Sequence, residues 1–133
     1  MKKICVTLTL VSLIFTACDE EISGNSSVRG TWELDAKVEG MTGKVNQQSA
    51  GNGNILKFTE TNFEKYQNGE LSEKGTFKII KDTSILTKKL GDRIIFNDII
   101  DNIKEFINIR EDKMVIYIDA YDSPSDIYKK QNK

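Results

Sequence analysis

VRGTWELDAKV, residues 28–38, alternates over its whole length: Val28, Gly30, Trp32, Leu34, Ala36 and Val38 share one parity, and Arg29, Thr31, Glu33, Asp35 and Lys37 the other. Successive side chains of a strand point to opposite faces, so the pattern predicts a β-strand with one buried face that carries Trp32. Outward from it, short apolar runs recur between Gly, Asn and Asp, and the only proline is Pro124. NILKFT (54–59) and NFEKYQ (62–67) read as strands joined at Glu60-Thr61. Asn68-Gly69 follows, a pair that tolerates the positive φ of a type I′ hairpin turn. EKGTFKIIK (73–81) continues as a strand with Gly75, Phe77 and Ile79 on one face. SILTKK and RIIFN, around Leu90-Gly91-Asp92, read as a further hairpin or one long bent strand.

KEFINIR (104–110) and KMVIYIDA (113–120) pair about Glu111-Asp112, and SDIYKKQ (125–131) closes the series. Phe96, Ile99, Ile100, Ile103 and Phe106 fall at helical spacing behind Asp98, a capping residue type, so a short helical turn is expected at 98–102. Strands connected in sequence order can end as a sandwich or as a closed barrel. Closure removes the exposed edges that Ile- and Val-rich strands would otherwise offer to other chains. The expected fold is therefore all-β, a roughly eight-stranded antiparallel up-and-down barrel over residues 28–133.

The chain before this domain reads differently. Lys2 and Lys3 precede an apolar stretch from Ile4 to Phe15 that stops before Asp19. A bilayer-spanning helix needs about 20 apolar residues, so residues 1–17 read as a signal peptide. Phe15-Thr16-Ala17-Cys18 resembles a bacterial lipobox, which implies lipidation of Cys18 and a membrane anchor through it; the alternative is a secretory leader cut after Ala17 that leaves a free thiol. Cys5 lies within the leader, so no intramolecular disulfide is expected after processing. Residues 18–27 then form an acidic, flexible tether. Asp19, Glu20 and Glu21 resemble the acidic tag of surface-displayed lipoproteins of Bacteroidota, which implies an outer-membrane, surface-exposed protein in preference to a periplasm-facing one.

Composition narrows the chemistry. With 19 Lys and Arg against 20 Asp and Glu, no polybasic stripe exists for nucleic-acid phosphates. The absence of histidine removes Ser-His-Asp and Cys-His catalysis and histidine-ligated zinc. No catalytic residue, cofactor or metal site is assigned, and the protein is expected not to be an enzyme. Asp119, Asp122 and Asp126 around Pro124 lack the ordered ligand spacing of a calcium loop and read as turn residues.

Gly30-Thr31-Trp32 on a first strand, followed by LKFTETNFEKYQNGE, GTFKI, INIREDKMVIYI and SDIYKK, resembles in its order the lipocalin-like (calycin) domains of small Bacteroidota lipoproteins. That resemblance spans nearly all of residues 28–131. It implies that Trp32 packs at the closed end of the barrel against a basic side chain near the end of the chain, for which Lys129 and Lys130 are the candidates. It also implies that residues 39–53, Gly- and Asn-rich and without periodicity, form a loop over the open mouth. An eight-stranded barrel either packs its interior shut or holds one small ligand. If it holds one, Trp32, Leu34, Phe58, Phe77, Met114 and Ile116 are the candidate lining, with Met41 at the rim, and the expected ligand is a small apolar molecule. The alternative is a filled barrel that serves as a protein-interaction or inhibitor module with an envelope partner.

Overall fold

The computed structural model describes residues 27–132. The leader, Cys18 and the tether up to residue 26 lie outside the described residues. Nine strands follow in chain order: β1 Gly30–Val38, β2 Val45–Gln47, β3 Ile55–Phe58, β4 Asn62–Gln67, β5 Glu70–Thr83, β6 Leu90–Phe96, β7 Glu105–Arg110, β8 Lys113–Ile118 and β9 Ser125–Lys130. From β3 to β9 each strand pairs antiparallel with the next, and β9 returns to β1. The result is a closed, eight-stranded antiparallel barrel.

β1 is the strand on which closure turns. Along one edge its first half pairs with β3, Gly30 opposite Phe58 and Trp32 opposite Leu56, and its second half pairs with β2. Its other edge pairs with β9 from Trp32–Lys130 to Val38–Ser125. The short β2 is a correction to the structureless loop expected at 39–53: the chain turns at residues 40–42 and lays Val45–Gln47 back along β1.

Trp32 is fully buried, and its indole N–H donates to the Val28 carbonyl at 2.7 Å. The Lys130 Nζ lies 5.2 Å from the ring centroid, within the range at which a cation is drawn to an indole face. Gly30 makes room for this arrangement. Its φ is +125°, and a Cβ there would come within 3.1 Å of the Lys130 stem. Above this floor, Phe58 meets Phe77 edge-on at 4.8 Å between centroids and Phe63 meets Phe96 at 4.6 Å. Leu34, Leu56, Ile94, Ile107, Met114 and Tyr128 complete the core.

Two further expectations are revised. Residues 98–102 are not helical. Asn97 and Asp98 both adopt positive φ, 53° and 55°, which turns the chain out of β6 into an irregular segment that exposes Ile99, Ile100 and Ile103. SILTKK is likewise not a strand. Residues 84–89 form the loop of a β5–β6 hairpin, closed by hydrogen bonds from the Ser84 amide to the Lys89 carbonyl and from the Lys88 amide to the Ser84 carbonyl. The Asn68-Gly69 turn is as expected, with φ of 50° and 84°.

β5 serves two ladders. Its first half pairs with β4 and its second half, Phe77–Thr83, with β6. The hairpin loop beyond it is fastened to the end of β8 by Asp119, whose buried carboxylate accepts from the Ser84 hydroxyl and from the Ile85 and Leu86 amides. β6 and β7, by contrast, share a ladder of only three pairs, Asp92–Ile107, Arg93–Phe106 and Ile94–Glu105.

Two stability measurements follow. Trp32→Ala removes the largest buried side chain, and denaturant unfolding should show a loss of about 3–5 kcal/mol; a loss below 1 kcal/mol would contradict the packing described. Burial would raise the Asp119 pKa, but the Ser84 hydroxyl, the Ile85 and Leu86 amides and the Lys104 charge outweigh it and hold the carboxyl below its ordinary value. A carboxyl depressed on folding stabilises the folded state above its unfolded pKa and ceases to do so as pH falls through the folded one. Asp119→Ala should therefore cost roughly 2–3 kcal/mol at neutral pH, and its gap from the parent should narrow below about pH 4.

Candidate functional site

The interior of the barrel changes character along its length. Below lies the Trp32 and phenylalanine floor; toward the end that carries the 39–44, 68–69, 97–104 and 119–124 connections, charged side chains enter the inward-facing positions. Three strands carry this change in the same way. In β4, Lys65 follows Phe63 on the inner parity; in β7, Glu105 precedes Ile107; in β9, Asp126 precedes Tyr128. The ladders set Lys65 opposite Glu73 and Asp126 opposite Ile116.

A cavity of about 280 Å³ lies at this level. Its apolar wall is Leu56, Phe63, Ile94, Phe96 and Ile116, and its polar wall includes Lys65, Glu73, Arg93, Glu105, Asp126 and the Tyr128 ring. Ile99, Asp101 and Ile103 of the irregular segment after β6 stand at its side. A second cavity of about 150 Å³ adjoins it through the shared Leu56, Lys65, Asp126 and Tyr128, and adds Leu34, Lys37, Asn54 and Tyr66. The larger volume sits just under the roughly 300 Å³ at which small-molecule pockets begin.

Lys37 reaches this space through a break in the alternation of β1. The register against β9 shifts between Leu34 and Ala36, so that Lys37 stands opposite Asp126, and their side chains pair at 3.4 Å. The strict parity read from the sequence placed Lys37 with the outward residues. The bulge inserts one residue and reverses the face beyond it.

Arg93 is 7% exposed and is held from two sides, Nη1 donating to Asp82 at 3.1 Å and Nη2 to the Asp101 carbonyl at 3.2 Å. Its Nε has no hydrogen-bond partner among the described residues. Lys104 also pairs with Asp82, at 2.9 Å. This holds the Asp82 carboxyl below the usual range, with Lys104 first among the causes, partial burial opposing it, and the Thr83 amide and Arg93 assisting.

Glu105 behaves in the opposite way. Burial is the main reason its pKa rises; Lys65 opposes the rise, while Asp101, Glu73 and Asp126 add to it as like charges. Tyr128 is pushed up as well, by burial first and then by the neighbouring Asp126.

Of the residues singled out from the sequence, Ile116 lines the larger cavity and Leu34 the smaller. Trp32, Phe58, Phe77 and Met114 are buried in the packed floor and line neither. Met41, 85% exposed, is on the turn between β1 and β2 and lines neither. Cys18 is outside the described residues. Asp119 and Asp126 serve separate contacts, the Ser84 loop and Lys37, and no cluster of three or more potential metal-ligating His, Cys, Asp or Glu occurs among the described residues.

The electrostatic description yields a direct measurement. Carbon-detected NMR titration should find the Glu105 carboxyl above the ordinary glutamate range, and Lys65→Ala should move it higher still by removing the one opposing charge. A Glu105 titration at or below the ordinary value would refute this account of the cavity wall. No protein-family model, curated protein or solved structure matches the chain.

Proposed function

We propose that this protein is a lipid-anchored binding protein of the cell envelope, whose barrel holds one small molecule with a substantial apolar part. The observation that carries the reading is the cavity of about 280 Å³, walled on one side by Leu56, Phe63, Ile94, Phe96 and Ile116. An eight-stranded barrel that served only as a rigid body would gain stability by filling that space, since unfilled volume forfeits packing contacts. The anchor is Cys18, and the acidic residues after it favour display at the outer-membrane surface. The reading is of capture and release, not conversion: the chain has no histidine, and its only cysteine beyond the leader is assigned to the lipid.

A second reading, a non-catalytic interaction or inhibitor module for another envelope protein, is favoured by one observation. Ile99, Ile100 and Ile103 stand exposed together on one connection beside the mouth. Reproducible crosslinking through these residues to one envelope protein would support it.

Native mass spectrometry of the protein extracted from its own membrane tests the leading reading. It should show the mass of a diacylglyceryl-modified chain and a second, dissociable small-molecule mass, and Cys18→Ser should lose the first and keep the second. Ile116→Trp, which places a bulky ring in the cavity, should lose the bound molecule while the fold persists. Absence of any dissociable mass in freshly extracted protein would overturn the binding role.

A further inference from the structure

We propose that the molecule held in this cavity carries a cationic head, an ammonium or amidinium group, which the Glu105 carboxylate receives while its apolar part lies against Leu56, Phe63, Phe96 and Ile116. The proposal rests on the binding-protein reading and adds the chemical class of the ligand.

The argument begins with which charges of the wall are already engaged. Asp126 is paired with Lys37, and Arg93 is committed to Asp82 and to the Asp101 carbonyl. Lys65, Glu73 and Glu105 face the cavity without a salt-bridge partner within 4.0 Å among the described residues. Two free carboxylates, Glu73 and Glu105, thus meet one free ammonium, Lys65. Of the two carboxylates, Glu73 is exposed and Glu105 is half-buried.

A carboxylate withdrawn from water and left without hydrogen bonds is unfavourable until a counter-charge arrives. Lys65 supplies part of that counter-charge, since it is the one neighbour that lowers the Glu105 pKa. A ligand cation would supply the rest, and in a low-dielectric recess its attraction exceeds what the same pair achieves in water. An anionic head meets the reverse conditions. Arg93, the cation best suited to hold a carboxylate or phosphate, has both Nη groups engaged by Asp82 and the Asp101 carbonyl and only its Nε left unpaired, so Lys65 is the one free ammonium against Glu73 and Glu105. The apolar wall beneath these charges fixes the polarity of the ligand, head toward Glu105 and tail toward the phenylalanine floor.

Protonation sets the pH response. Glu105 faces Lys65, Glu73, Asp101, Asp126 and Tyr128, and its pKa is raised, so it protonates at a higher pH than an ordinary glutamate. Cation binding should therefore weaken as pH falls through that value, and a bound cation should lower it.

Octylammonium, octanol and octanoate, used below micelle-forming concentrations with the soluble Cys18→Ser chain, test the head group at constant tail. Octylammonium should bind about tenfold or more tightly than octanol, a difference of about 1.4 kcal/mol, and octanoate most weakly. Glu105→Gln, nearly isosteric and checked for fold by its amide NMR spectrum, should remove that preference, so that octylammonium binds no more tightly than octanol. Octylammonium should also shift the Glu105 carboxyl titration downward, and octanol should not. Equal binding of all three, or tightest binding of octanoate, overturns the cationic head while leaving the binding-protein reading intact. Failure of all three to bind in a manner sensitive to Ile116→Trp overturns both.

Discussion

Closure of the sheet through β1 is the constraint from which the other features follow. One strand must satisfy β9 along one edge and both β3 and β2 along the other. A strand in that position is committed on both edges over most of its length, so its inner side chains are locked against the core. Trp32 is the deepest of them, and its surroundings are built to match. Val28 accepts its N–H, Lys130 lies over its face, and Gly30 is kept without a side chain so that the lysine stem can pass. The Gly-x-Trp pattern thus has a local mechanical cause in this chain, independent of any resemblance.

Period-two alternation made most of the barrel legible before any coordinates. It gave β1, β3, β4, β7, β8 and β9 within a residue or two, because each is short, half-buried and bounded by turn-forming residues. The Asn68-Gly69 turn was legible for a stereochemical reason, since both residues accept positive φ. The misreadings have equally definite causes. Isoleucines spaced three and four apart at 96–106 imitate a helix, but consecutive positive φ values at Asn97 and Asp98 prevent one from starting. β2 was hidden because three polar-flanked residues carry no periodic signal, and their pairing depends on the edge of β1 that β3 leaves uncovered.

The site was less legible than the fold. Selecting large apolar residues found the floor, because size and hydrophobicity determine what packs shut. The cavity wall is instead written in the residues that continue an apolar phase with a charge: Lys65 after Phe63, Glu105 before Ile107, Asp126 before Tyr128. That signal was present in the sequence and becomes recognisable once the three strands are known to be neighbours of one interior. Lys37 was not accessible in this way, because its inward direction depends on a bulge that alternation cannot foresee. The same ionic layer leaves Glu105 partly withdrawn from water without a salt-bridge partner, which opposes stability. Its retention beside an apolar wall is what separates this interior from a simple hydrophobic core.

The three-pair ladder between β6 and β7 has a mechanical meaning. It is the shortest ladder between two of the eight barrel strands, and three of its residues, Arg93, Ile94 and Glu105, are also walls of the larger cavity. Elsewhere the mouth is stiffened: the 39–44 turn packs so closely on the 119–124 corner that a Cβ on Gly40 would collide with the Asp122 carbonyl. The β6–β7 side of the wall is thus held by the fewest ladder pairs, and parting them would open the barrel beside Glu105.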